Sequence, residues 1–222
     1  MGDRLFTIVN YVFFCMVILA SIVITIIFKL NWLTLIACVS SICYIVFLSD
    51  RNLLNFIIGF ISSTTYIFVA WKAKIYGEVI FYLIIDLPMI FISYFMWKRN
   101  LESSLRVNAR KMSKKQILLT TLISAVAIVL YSFFLRLIGG VSYVVDATST
   151  VSSLIATILM AKRYREQWFM WVVVYIVSVI MWIVTFDILM LIMSISCLIS
   201  SIIGFVSWSK NAKKFKKIDT NY

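Results

Sequence analysis

Eight long apolar stretches, parted by short polar turns, constrain this chain more than any other feature. They run over roughly 6–28, 32–50, 53–71, 76–97, 116–138, 144–162, 167–184 and 186–208. A helix of about 20 apolar residues crosses the hydrocarbon core of a bilayer. In lipid the backbone must satisfy its own hydrogen bonds, which leaves helices and closed barrels as the spanning structures. The length and continuity of these runs predict an all-α membrane protein with eight transmembrane helices. Composition agrees: 63% of the 222 residues are apolar and 14% charged, against about a quarter charged in soluble domains. The first stretch is too long for the apolar segment of a cleaved signal peptide and lacks a small-residue cleavage site, so it is read as a span.

The basic residues orient these spans. Arg4, Arg51, seven residues from Lys98 to Lys115, three from Lys162 to Arg165 and five from Lys210 to Lys217 fall on one side, 17 in all. The other side holds Lys29, Lys72, Lys74 and Arg136. Positive charge accumulates on the cytoplasmic side of membrane proteins, which predicts that both termini are cytoplasmic. The net charge of +12 is thereby explained by orientation, and no nucleic-acid partner is expected. The basic tail Lys213–Lys217 is placed against anionic lipid headgroups.

Absences exclude several chemistries. Without histidine, His-liganded metals and Ser-His or Cys-His nucleophiles are impossible. No glycine-rich phosphate loop occurs. Cys15, Cys38, Cys43 and Cys197 lie in apolar runs without a CxxC pair and read as small packing residues. No cofactor and no metal are expected.

A shift of 111 residues, half the length, lays Trp71 on Trp182, Trp97 on Trp208 and Asn100 on Asn211. It also superposes stretch 6–28 on 117–139 and 32–50 on 143–161. Four helices per half return the chain to its starting side, so the halves would share one orientation. Parallel repeats of this kind occur in carriers that bind solute near the membrane midplane. A regular helix array without repetition would give a similar coincidence of spans.

Polar residues at membrane depth usually face a bundle interior or a wet cavity. Asp146, Thr150, Ser153 and Thr157 share one helix face, as do Asn55, Gly59, Ser62 and Tyr66. Trp168, Trp171, Tyr175 and Trp182 form an aromatic stripe. These stripes read either as the lining of a shared pocket or as close-packing faces, with Trp168 and Trp182 as interfacial anchors. Asp86 lies at the centre of stretch 76–97, with Tyr82 one turn before it and Ile90 one turn after. It reads as a protonated bridge between helices or as a counter-charge for a solute. Glu78, Glu166 and Asp187 lie near span ends, within reach of the interface.

The segments 66–98 and 146–182 resemble the PnuC family of nicotinamide riboside transporters. The matching elements are Trp71, Tyr76-Gly77-Glu78, Pro88-Met89 and Trp97, then Asp146-Ala147, Ser153, Ala156, Leu159, Glu166-Gln167-Trp168 and Trp171. The resemblance spans about 32–211. It implies a SWEET-like 3+1+3 fold, two parallel three-helix bundles joined by a linker helix, plus one extra N-terminal span. The corresponding divisions are the extra helix at 1–31, a first bundle at 32–97, and a basic cytoplasmic loop and linker helix at 98–143. A second bundle at 144–208 and a basic tail at 209–222 complete the chain.

The resemblance further implies a carrier for nicotinamide riboside, thiamine, a deoxynucleoside or another B-vitamin precursor. Transport would be by facilitated diffusion, with a cytoplasmic kinase trapping the product. The carrier would sit in the bacterial inner membrane as a homo-oligomer, a trimer. The implied substrate-binding set is Trp71, Asp86, Ile90, Asp146, Thr150, Ser153, Thr157, Trp168, Trp171 and Tyr175. The family pattern has Gln where this chain has Ile90, Asn at Tyr175 and Gln at Thr157. Each change removes an amide that would hold a ribose or carboxamide. Asp86, on the face of Ile90, would offer a counter-charge to a cationic ring, and the aromatic faces cation–π contacts. Two other classes are weighed beside the carrier. One is an intramembrane enzyme built on an Asp86–Asp146 dyad. The other is a non-transporting membrane module of a larger assembly.

Overall fold

Asn31, Ser113 and Asp187 mark the starts of three helices in this computed structural model. The Asn31 side chain accepts from the Leu33 amide at 2.8 Å. Asp187 Oδ1 accepts from the Leu189 and Met190 amides, both at 3.1 Å. Ser113 and Gln116 exchange bonds: Ser113 Oγ accepts from the Gln116 amide and Gln116 Oε1 from the Ser113 amide. Each device satisfies amides that lack intrahelical partners. The structure describes the backbone of residues 2–73, 75–103, 105–137 and 143–219, and within these the side chains outside 2–10, 76–77, 102–103 and 213–219.

The helices are α1 (Gly2–Phe28), α2 (Trp32–Ser49), α3 (Asn55–Lys72), α4 (Tyr76–Phe81), α5 (Leu87–Lys98), α6 (Lys114–Leu137), α7 (Tyr143–Ala161), α8 (Gln167–Val184) and α9 (Ile188–Asp219). A π-helical turn, Tyr82–Asp86, joins α4 to α5. A small antiparallel ribbon, β1 (Leu101–Ser103) and β2 (Arg106–Val107), follows α5. Lys29, Arg51, Arg163 and Phe186 close α1, α2, α7 and α8 with φ of 50°, 60°, 63° and 55°. Glycine is favoured at such left-handed caps. The next amides, Asn52 N to Phe47 O at 3.0 Å and Tyr164 N to Leu159 O at 2.9 Å, compensate the strain by satisfying terminal carbonyls.

Helices α2, α3, α5, α7, α8 and α9 pack in that cyclic order, with α9 returning to α2. Helix α6 leans on α7, and α1 on α2 and α9. Ala37, Cys38, Ile42, Ile45, Thr157, Met160, Met190 and Cys197 are buried inside this ring. The outer faces of α6 and α1 carry exposed Leu, Ile, Val and Phe, as lipid contact requires.

Two expectations are corrected. Eight spans were expected. Among the described residues six helices are long and apolar enough to cross a membrane: Trp32–Ser49, Glu78–Lys98, Lys114–Leu137, Tyr143–Ala161, Gln167–Val184 and Ile188–Ala212. Helix α3 falls short because Ser62, Ser63, Thr64 and Thr65 interrupt it between Asn55 and Lys72. The described apolar part of α1, Tyr11–Ile27, is shorter than a span. The SWEET-like 3+1+3 plan, with two three-helix bundles, a linker and an extra span, is likewise not supported. Packing of α2 on α9 and of α5 on α7 merges the two halves of the chain into one ring. The reason is physical: the polar and aromatic faces meet across the halves, so neither half buries its own.

The segment between α5 and α6 ties the ends of the ring together. The Leu53 amide donates to the Leu105 carbonyl at 2.7 Å, and the Val107 amide to the Arg51 carbonyl at 3.2 Å. Further on, Arg110 N donates to Arg163 O at 2.7 Å and Arg165 N to Arg110 O at 2.9 Å. One strap thus pairs with the turn after α2 and with the turn after α7. Arg106 is ion-paired with Asp50, and the buried Glu166 accepts from the Met112 amide at 3.1 Å.

Candidate functional site

Pro88 shapes the centre of the ring. It has no N–H to give the carbonyl four residues back, and its ring crowds that carbonyl. The chain widens into the π turn just before it, where the Leu87 amide bonds to the Tyr82 carbonyl five residues back. Such turns recur at functional sites because they re-aim side chains. Asp86 is the last residue of this turn and is only 7% exposed.

The Ser63 hydroxyl, on α3, donates to Asp86 Oδ2 at 2.5 Å. Tyr44 of α2, Tyr82 of the π turn and Tyr175 of α8 all lie within electrostatic reach of this carboxylate. Gly59 permits the approach of Tyr44: a Cβ there would stand 2.9 Å from Tyr44 Cδ2 and 3.8 Å from Ile90 Cδ1. The Tyr44 hydroxyl reaches across to Met160 Sδ at 3.2 Å. Trp171 stacks on Tyr175 with centroids 5.9 Å apart and planes 25° off parallel. Its indole N–H is buried and has no hydrogen-bond partner among the described residues.

A second group lies towards the start of α4. Glu78 accepts from Ser149 Oγ at 3.2 Å and senses both Asp146 and Asp86. Tyr66 and Tyr82 lie between the two groups, with ring centroids 4.6 Å apart. Tyr66 also meets Trp182 edge-on at 6.1 Å.

Four of the ten expected binding residues gather here: Asp86, Ile90, Trp171 and Tyr175. Ser153 and Thr157 are buried on α7, where Thr157 Oγ1 donates to the Ser153 carbonyl at 2.9 Å. Thr150 is half-buried and Asp146 exposed, while Ser149, next to Thr150, is buried. Trp168 packs at the strap end of the ring. A Cβ on Gly204 would stand 2.4 Å from its Cζ2, and its ring lies 5.9 Å from Trp208. Trp71 is 58% exposed at the last turn of α3. Ser63, Tyr44 and the Glu78–Ser149 pair were not read from the sequence. Ser63 adjoins the recognised stripe through Ser62; nothing local marks Tyr44.

These groups can bind a ring and a positive charge: aromatic faces, an unpaired indole N–H and a carboxylate with one hydroxyl donor. A family model described as nicotinamide mononucleotide transporter matches residues 31–210. The chain belongs to that family. The nicotinamide riboside transporter PnuC of Haemophilus influenzae is 34% identical over 187 residues, 83% of this chain and 82% of the relative. The PnuC of Neisseria mucosa is 30% identical over 195 residues, 83% of this chain and 74% of the relative. A crystal structure of the vitamin B3 transporter PnuC matches with TM-score 0.85 at 29% identity, covering 92% of each chain. As a member of the nicotinamide mononucleotide transporter family, the chain is a multi-pass membrane transporter.

Proposed function

We propose that this protein carries nicotinamide riboside across the membrane by facilitated diffusion, with a cytoplasmic kinase trapping the product. The observation that carries the reading is the buried Asp86, held by Ser63 at 2.5 Å among Tyr44, Tyr82 and Tyr175. The nicotinamide ring of this nucleoside is a fixed cation, and aromatic faces and a carboxylate suit it. Both named relatives are nicotinamide riboside transporters. In this reading Asp86, Ile90, Trp171 and Tyr175 form the inner contact set. Ser153, Thr157, Thr150 and Asp146 line the α7 side, and Trp71 and Trp168 act near the two ends.

The reading also places the protein in the bacterial inner membrane with both termini cytoplasmic, as a homo-oligomer, a trimer. The charge asymmetry supports the orientation. The protein acts as a carrier and not as an enzyme: Asp86 is buried and Asp146 exposed, which argues against a shared-proton dyad.

Ile90, buried at 4% exposure, favours a second substrate of the same class, since it offers no amide to a carboxamide. That substrate is thiamine, also a fixed cation. Uptake of labelled nicotinamide riboside into proteoliposomes tests the reading. Saturable uptake that halts at equal inner and outer concentrations is expected. No uptake by folded, inserted protein would overturn the substrate assignment and direct the same assay to thiamine, then deoxynucleosides.

A further inference from the structure

Among the described residues no cationic side chain stands beside Asp86. Its hydrogen-bond partner is the Ser63 hydroxyl, and the titratable groups that face it are phenols and a second carboxylate. By element these are Tyr44 on α2, Glu78 and Tyr82 on the α4–π segment and Tyr175 on α8; Tyr66 on α3 faces Glu78, and Cys197 on α9 faces Tyr175. From α7, Ser149 and Asp146 face Glu78. The described Lys and Arg lie at the helix ends and in the strap. One hydroxyl does not offset the desolvation of a carboxylate, so the site gains most from a ligand that brings a positive charge. The unpaired Trp171 N–H, 94% buried beside Tyr175, is a second, independent sign that a ligand completes the site.

We infer that Asp86 determines the charge specificity of the carrier: it selects a ring bearing a fixed positive charge over the neutral form of the same ring, with Glu78 and Ser149 as an outer station on the approach. This rests on the transport reading above and deepens it. The neutral ring loses the carboxylate contact while keeping every aromatic one. A proton on Asp86 does the same to the charged ring, so acid competes with the cation at one oxygen pair.

The test compares nicotinamide riboside with its reduced dihydro form, which has the same size and no charge, in proteoliposomes of the full chain. The wild type is expected to prefer the charged form by about tenfold or more in kcat/KM, the scale of one charge-assisted contact. D86N is expected to bring the two forms close to parity, and E78Q to raise KM for the charged form alone. Thermal unfolding in detergent reports whether each variant is folded. Equal uptake of both forms by the wild type overturns the inference and leaves the transport reading intact. A preserved preference in folded D86N overturns it too. Uptake of neither form by folded wild type removes the transport reading and this inference with it.

Discussion

Trp97 and Trp208 lie with ring centroids 5.8 Å apart, and each reaches across to the other half of the chain. Trp97 Nε1 donates to the Met160 carbonyl at 3.0 Å, in the last turn of α7. Trp208 Nε1 donates to the Leu48 carbonyl at 3.2 Å, in the last turn of α2. The two residues that a 111-residue shift superposes thus make matching, exchanged bonds. Both indoles are fully buried, and both acceptors are helix-end carbonyls that also take a backbone bond, from Arg163 N at 2.9 Å and from Arg51 N at 3.0 Å. Phe56 and Trp168 extend the pair into an aromatic layer.

Trp97→Phe and Trp208→Phe keep most of the ring and remove the donor. Each is expected to cost about 1–2 kcal/mol, read as a lowered unfolding temperature in detergent. The double variant is expected to deviate from additivity, because the rings touch. Strict additivity would show that the two bonds act independently.

Two glycines predict opposite kinds of damage. At Gly204 an added Cβ meets the buried Trp168 ring at 2.4 Å, so Gly204→Ala is expected to destabilise by about 1–3 kcal/mol through overpacking. At Gly59 the neighbour is Tyr44, which stands near Asp86. Gly59→Ala is expected to weaken substrate binding more than stability. Parallel unfolding and uptake curves separate the two effects.

Pro88 causes the π turn, on the reasoning above. Pro88→Ala restores an N–H and permits a regular α-helix through 82–86, which would rotate Asp86 away from Ser63 by about the angle of one residue. Transport is expected to fall severalfold or more while the unfolding temperature holds or rises. Unchanged transport would show that the π turn is held by packing and not by the proline.

Ile90 lies one turn from Asp86 and beside Gly59. Ile90→Gln returns an amide to the site and is expected to lower KM for nicotinamide riboside by up to about tenfold, the scale of a hydrogen bond completed in a site. It is expected to cost stability when no ligand is present, since the amide is then buried without a partner. A raised KM would mean that the pocket is shaped for a ligand without a carboxamide.

Six of the eight expected spans were legible because lipid imposes them: a helix that crosses hydrocarbon must be apolar along about 20 residues, whatever its neighbours. Asp86 stood out for the same reason, as a charge at the most costly depth. The helix α3 was over-read, because its Ser and Thr residues are tolerated inside a ring and lower the apolarity that a free-standing span needs. Along α7, Ser153 and Thr157 are buried and Thr150 half-buried, while Asp146 is exposed near the start of the helix and Ser149 bonds to Glu78. How deep each of these residues sits depends on the neighbours α5 and α8, to which local periodicity is blind.

The class, the approximate helix positions and the buried acid therefore came from the sequence alone, since each follows from residue-by-residue transfer between water and lipid. The tertiary structure decided which side chains meet: Ser63 with Asp86, Tyr44 over Gly59, the crossed indoles of Trp97 and Trp208, and the strap over both turns. Those contacts join residues as much as 160 positions apart. They are selected by packing and hydrogen-bond satisfaction over the whole ring, a condition that no single segment carries.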